Sequence, residues 1–231
     1  MRVAISQSNY VPWAGYFGII AQTDVFVFLD EVQFTTRDWR SRNRIKEKTG
    51  LKWLSIPVGD SRNRRILDVK LPKNGWEQKH KMTIKQAYQD APNYKTGIEI
   101  IEAIYGDNNF DNLSDFNKHW IKFFSTEIFG LKCKFFDSDE IDHRGTASEL
   151  ILSISKNLSA THYLTGPSAV NYLKIDDFSH NNIEVNFADY SNMATYTQLH
   201  GEFVQTVSIL DMIFNVQSGY ADLIKIDTVK A

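Results

Sequence analysis

Seven of the nine arginines lie between Arg37 and Arg65, and four of them fall within the eight residues RDWRSRNR. On a helix Arg37, Arg40 and Arg44 share a face; on a strand Arg40, Arg42 and Arg44 do. Either way several guanidinium groups point together, and their planar forks suit the oxygens of a phosphate or carboxylate. Like charges this close repel unless an anion or an acidic partner sits among them. Asp38, Glu47, Asp60 and Asp68 are the acidic side chains at hand. The run therefore has two readings: a salt-bridged, solvated surface, or a binding patch for a phosphorylated small molecule. Trp39 sits inside the run, either to stack on a base or sugar ring or to anchor the loop to the core.

A second group of candidates follows the first apolar run. In SQSNYVPWAGYF, Gln7, Asn9 and Tyr10 offer hydrogen-bonding side chains and Trp13 offers a stacking wall. Open α/β sheets place ligands at the carboxyl ends of their strands. A polar loop leaving a first parallel strand is a candidate site on that ground; the plainer reading is a surface loop packed by its own aromatics. Asp30, ending the second apolar run, is placed for a ligand amine or hydroxyl. In TGPSAVNYL, Thr165, Gly166 and Ser168 form a turn into a helix. Its N–H groups and the Ser168 hydroxyl suit a phosphate or a developing oxyanion, against the plainer role of a capping serine.

Of six histidines, His80 and His162 are the candidate bases. His80 lies four residues after Trp76 on a helix, where an ordinary exposed histidine is the alternative. His162 lies on a strand leading into a Gly-Pro turn, where a structural histidine is the alternative. Ser208, Asp211 and Asn215 share one face of the last helix, and Asp211 is placed to orient a histidine or an amine. No pair of residues has zinc-site spacing, so no metal is expected. Ser168 lacks a nucleophile elbow. No motif names a cofactor.

The elements that must hold these residues read as α/β. Arg2 to Ser6 is a short apolar strand, and Trp13, Phe17 and Ile20 have helical spacing after Pro12. VFVFLD is a second strand, and strand, helix, strand favours a parallel sheet. WLSIPV and ILDVKL read as strands paired through a Gly59–Asn63 turn. Helical patterns follow around Trp76–Ala91 and Leu113–Gly130. Further on come a helix in TASELILSISKNL, with Thr146 or Ser148 as cap, strands HYL and IEVNFADY, and a last helix with Phe203, Val207, Leu210 and Phe214 on its apolar face. The expectation is one α/β domain over residues 1–231, a mostly parallel sheet with flanking helices of Rossmann-like or nucleotidylyltransferase type. Roughly residues 75–130 form a helical cap or subdomain within it.

The bulk numbers agree with a globular chain of 231 residues. Hydrophobic residues make up 42% and charged residues 23%. With 26 basic and 28 acidic side chains the formal net charge is −2, which argues against nucleic acid as partner. The one cysteine, Cys133, excludes an internal disulfide and fits a reducing compartment. No signal-peptide pattern and no run long enough to cross a bilayer is present, so the expected location is cytoplasmic.

SQSNYVPWAGYFGIIAQTDVFVFLDEVQFTTRDWRSRNRIK resembles the opening of the WbqC-like protein family, with its Q-P-x-Y-x-P-W-x-G-Y-F core, its D-V-Q-F segment and its arginine-rich stretch ending R-N-R-I-K. The likeness continues through WLSIPV, WEQKHKMTIKQAY, ATHYLTGPSAVNYL and FVQTVSILDMIFN, in order and over nearly the whole chain. Ser8 departs from the family's proline, and Ala169 fits loosely where a glycine or small residue follows the serine. The resemblance adds Gln33 and Asn43 to the candidate binding residues. It implies a bacterial protein of surface-polysaccharide, particularly O-antigen (lipopolysaccharide), biosynthesis. A fainter likeness is to nucleotidylyltransferases, whose H-x-G-H loop holds nucleotide phosphates; here Gly15 is present, and Trp13 and Tyr16 replace the histidines.

The leading expectation is a transferase that passes an acyl or aminoacyl group to the amine of a nucleotide-linked sugar, its diphosphate on the Arg37–Arg44 patch. His80 or His162 would take the proton, the turn after Thr165 would face the oxyanion, and an acyl-carrier protein or coenzyme A would bring the acyl group. The alternatives are an ATP-using nucleotidylyltransferase or ligase, and a non-enzymatic binding protein.

Overall fold

Short runs of β-branched and aromatic residues lay down the sheet. The structure is a computed structural model and describes residues 1–106 and 110–231. β1 (Arg2–Ser6) leads through α1 (Ala14–Ala21) to β2 (Val25–Phe28). All four β2 residues are buried, as strands covered on both faces require. β3 (Arg42–Glu47) and β4 (Gly50–Ser55) then form an antiparallel hairpin outside the main sheet. Gly50 closes it at φ +123°, in the region open to glycine.

Three helices follow: α2 (Trp76–Ala87), α3 (Tyr94–Tyr105) and α4 (Leu113–Phe123), the last running on into a π-helical turn. The chain then alternates through β5 (Lys134–Asp137), α5 (Ser148–Asn157), β6 (His162–Thr165), α6 (Ile175–His180) and β7 (Glu184–Asp189). It ends with α7 (Ile209–Asn215), α8 (Tyr220–Leu223) and β8 (Asp227–Lys230).

The six strands are ordered β5-β2-β1-β6-β7-β8. Every neighbouring pair is parallel except β7 with β8 at the edge. This is the mostly parallel, helix-flanked α/β sheet of a Rossmann-like fold. The strand order reverses at β1, which lies between β2 and β6, so the crevice of the sheet opens above the carboxyl ends of β1 and β6.

Successive residues of a strand point to opposite faces, and the two faces have separate cores. Val3, Ile5, Val25, Val27, Tyr163 and Val185 pack under α5 and α6. Ala4, Phe26 and Phe28 face the larger core, shared with α1, α2, α3, α4 and α7. Gly97 lets α3 approach α7 closely: a Cβ there would stand 2.4 Å from the Phe214 ring. Within the expected helical section at 75–130, residues 107–109 lie outside the described residues.

Four expectations need correction. ILDVKL is not a strand: Ile66–Asp68 is a single 3-10 turn, and Gln33–Arg65 and Lys70–Asn112 are only isolated bridges. β4 pairs with β3 instead of across Gly59–Asn63. The last helix starts at Ile209; the residues before it run irregularly, and Phe203 and Val207 are not on it. Ser208 caps that helix, its hydroxyl accepting from Leu210 N at 3.3 Å. The cap of α5 is Ala147, with φ 48°, and neither Thr146 nor Ser148.

Candidate functional site

The loop after β1 is held in place from several directions. Asp30 is buried at the end of β2, where Oδ1 accepts from Ser8 N at 2.8 Å and Oδ2 accepts from the Ser114 hydroxyl at 2.6 Å. Asn43 Nδ2 donates to the carbonyls of Tyr10 at 3.1 Å and Val11 at 2.8 Å. The Ser208 hydroxyl donates to the same Val11 carbonyl at 2.8 Å. Val11 has φ 34°, a costly conformation for a β-branched residue, and these two side chains hold it there. Tyr10 N donates to the Trp39 carbonyl at 2.9 Å, so the arginine segment lies directly against this loop.

A cavity of about 210 Å³ opens where the sheet order reverses. Gln7, Trp13 and Tyr16 line it from the β1 side, and Thr165, Gly166 and Ser168 from β6 and the turn after it. Arg40 stands behind Gln7. Its Nη2 donates to Gln7 Oε1 at 2.9 Å and its Nη1 to Asn9 Oδ1 at 2.6 Å, and Asp38 approaches to 3.7 Å. Two of Arg40's three near partners are neutral amides, so its charge is only partly balanced. That charge and the hydrogen bonds from Thr35 and Trp39 N outweigh burial and hold the Asp38 carboxyl below its usual range. Burial raises the Tyr16 phenol, with Asp30 adding and Arg40 opposing, and pushes Tyr190 up to about 12. Both therefore face the cavity as neutral phenols near pH 7.

Trp13 is fixed by its neighbours. Its ring meets Tyr190 edge-on, with centroids 4.7 Å apart, and lies over Gly15, where a Cβ would stand 2.3 Å from the indole. Gly15→Ala should push the indole off this wall while leaving the fold intact, because the clash is with the far edge of a side chain. A far-UV circular dichroism spectrum like the parent's, with quenched or shifted Trp fluorescence, is the expected result; an unchanged fluorescence spectrum would count against it. Trp13 also borders a second cavity of about 250 Å³, completed by Asn9, Pro12, Trp39, Asn43 and Thr206.

Several expected site residues lie elsewhere. Tyr10 is fully buried; its hydroxyl bonds to His80 Nδ1 at 2.7 Å and to the Tyr105 hydroxyl. His80 is buried with it, Nε2 lying 3.2 Å from the Ser55 carbonyl. One neutral tautomer satisfies both contacts: Nε2–H donates to Ser55 O, and Nδ1 accepts from Tyr10. Burial pulls the His80 pKa down to about 4, so it is an uncharged interior group here rather than a base facing either cavity. His162 sits at the amino end of β6, paired with Arg2, at the far end of the strand from Thr165. Asp211 is buried beneath Tyr88 and Tyr196, each donating to it at 2.8 Å, and burial raises its carboxyl. Asn215 is buried on the same helix and donates to the Asp211 carbonyl. Asp30 is spent on the loop. Gln33 is exposed and donates to the Arg62 carbonyl at 3.0 Å. Arg37 is exposed, with φ 55°, and borders neither cavity. Arg42 and Arg44 lie on β3, and Asn43 between them turns inward.

Tyr190 and Thr206 border the cavities and were not among the expected residues. Tyr190 directly follows β7, so the rule that parallel sheets bind ligands at strand carboxyl ends points to it. Thr206 lies within FVQTVSILDMIFN, a stretch of the family likeness, but its residue type alone does not single it out.

The protein-family model described as the WbqC-like protein family matches residues 7–221. Over 226 residues, 97% of either chain, the sequence is 33% identical to the uncharacterized protein Rv1507c of Mycobacterium tuberculosis (strain ATCC 25618 / H37Rv). No solved structure matches the chain. Among the described residues no helix is long and apolar enough to cross a membrane. The family match spans the loop after β1, the arginine hairpin and the turn after β6, and the chain belongs to the WbqC-like protein family.

Proposed function

We propose that this protein binds a nucleotide-linked amino sugar in the crevice above β1 and β6 and, in surface-polysaccharide biosynthesis, places an acyl or aminoacyl group on its amine. One observation carries the reading: the cavity at the strand-order reversal is lined by hydroxyl, amide and aromatic groups, with the partly balanced Arg40 directly behind Gln7. Hydroxyl and amide side chains with aromatic walls suit a sugar, and a guanidinium suits its phosphates.

The transfer forms a nitrogen–carbon bond as the amine attacks a thioester carbonyl, and it breaks the carbon–sulfur bond. The thiolate leaves with the proton the amine gives up. Neither His80 nor His162 faces the cavity, so the step has no histidine base. The Thr165 and Ser168 hydroxyls border the cavity as donors toward the carbonyl oxygen. Nucleotidylyl transfer is the second reading, favoured by the Rossmann-like strand order and by Gly15 at the start of α1, and release of pyrophosphate identifies it.

Calorimetry with a panel of nucleotide-linked sugars is the direct test. Binding of at least one, weakened about tenfold or more by Trp13→Ala, is the expected result. Addition of a thioester donor should then yield a product heavier by the acyl group. A panel in which no sugar nucleotide binds overturns the reading.

A further inference from the structure

The outer face of the β3–β4 hairpin carries two arginines that form no ion pair among the described residues, although Arg42 helps to hold the Asp38 carboxyl below its usual range. Arg42 lies across from Ser55 and Arg44 across from Trp53 in the hairpin register, so these four share one face. Asn43, Ile45 and Leu54 are buried on the other. The Arg42 guanidinium carbon stands 4.1 Å from the Trp53 ring centre, and that of Arg44 stands 5.5 Å from Trp53 and 5.6 Å from Trp39. The two indoles are themselves 5.5 Å apart. Arg44 also donates to Thr206, at 3.1 Å to its carbonyl and 2.7 Å to its hydroxyl, which are both neutral. Among the described residues neither Arg42 nor Arg44 forms an ion pair, and the Nε of each is buried without a hydrogen-bond partner.

Such an arrangement is costly without a purpose. Trp39 and Trp53 keep 39% and 42% of their surface exposed, although indoles are usually well buried. Two like charges are held side by side on aromatic faces, and the terminal nitrogens of Arg42 and the Nη1 of Arg44, which Thr206 does not engage, are left to meet an anion. The cavity of about 250 Å³ adjoins this shelf through Trp39 and Thr206. Trp13, Pro12 and Trp39 give it aromatic and apolar walls, and Asn9 and Asn43 border it with amides. Its size admits a ring and not a helix or a folded partner.

We propose that this cavity is a second ligand compartment, for a planar heteroaromatic ring that carries phosphates. The ring stacks against Trp39 and Trp13, and the phosphates lie over Arg42 and Arg44. Trp13 is the wall between this compartment and the crevice above β1 and β6. Naming the occupant as the phosphate-bearing donor of the transfer rests on the function proposed above; the compartment itself does not.

The test uses the full chain with adenosine diphosphate as probe, beside adenosine and inorganic pyrophosphate. Binding is read by calorimetry and Trp fluorescence. Saturable binding of the diphosphate is expected, with adenosine and pyrophosphate each weaker and the affinity falling as salt is raised. Trp39→Ala, and Arg42→Gln combined with Arg44→Gln, should each weaken it about tenfold or more. Thr165→Val, in the other cavity, should leave it within about twofold. Unfolding midpoints check that each variant is folded, and the exposed Trp53→Ala replaces Trp39→Ala if that variant is not. A nucleotide-linked sugar and the diphosphate should bind together. No saturable binding up to about 1 mM overturns the proposal. So does unchanged binding in the Trp39 and arginine variants, loss of binding in Thr165→Val, or competition between the two ligands. If no nucleotide-linked sugar binds while the diphosphate follows Trp39 and Arg42, the proposed function falls and the second compartment stands.

Discussion

Lowering the pH from 6.5 to about 4 should remove about 3 kcal/mol of stability through His80 alone. Burial depresses its folded pKa to about 4, against an ordinary 6.5 in the unfolded chain. Within that window the unfolded state binds the proton and the folded state does not, so stability falls as the pH falls, and the loss levels off below the folded pKa. Protonation would also put a hydrogen on Nδ1, where Tyr10 now donates. Asp211 works in the opposite sense: burial raises its folded pKa, so the strain of its buried charge is relieved as it protonates. Urea unfolding of the parent and of His80→Gln, measured at several pH values, separates the two. The variant should be less stable at pH 7 and should lack most of the loss between 6.5 and 4. Parallel pH profiles for the two proteins would dispose of this account.

Asp30→Ala should cost about 3 kcal/mol or more, because it removes two hydrogen bonds to a buried charged acceptor and leaves Ser8 N and the Ser114 hydroxyl unpaired. Asp30→Asn, which keeps one carbonyl oxygen to accept from a donor, should cost clearly less. The larger effect belongs to the loop. With Ser8 released, Gln7 and Asn9 no longer present fixed oxygens to Arg40, and sugar-nucleotide affinity should drop along with stability. Denaturant midpoints give the first quantity and calorimetry on the folded fraction gives the second. Asp30→Ala with the midpoint of the parent would show that the carboxylate does not hold the loop.

The central strands and most helices were legible in the sequence because period alone decides them. VFVF is apolar at every position and lies buried on both faces; Leu113, Phe116 and Trp120 recur at helical spacing and are all buried. Local pattern failed where tertiary contact chose the structure. Leu67, Val69 and Leu71 alternate as a strand would, yet the buried side chains are Ile66, Val69 and Leu71, set around a 3-10 turn whose flanks make only isolated bridges among the described residues. Phe203 and Val207 continue the spacing of α7 backwards, but Ser208 ends the helix by reaching out to Val11. The candidate residues divide in the same way. That the loop after β1 borders the crevice follows from its place at the carboxyl end of a parallel strand. That Tyr10 and His80 turn inward does not, because a hydroxyl and an imidazole are equally at home facing a ligand or satisfying one another in the interior. Asn43 shows the same ambiguity: its position between two outward arginines puts it on the inner face, where its amide ties down the loop.

The unfavourable backbone at Val11 says something about how ligands meet this protein. Two donors from distant parts of the chain, Asn43 and Ser208, clamp its carbonyl. The rim at Trp13 is therefore shaped when the chain folds, before any guest arrives. A guest then has little loop to immobilise, so its association should run without a slow conformational phase. The same tethering makes the rim as durable as the body beneath it: amide protons of the clamped segment should exchange with solvent only when the sheet itself opens.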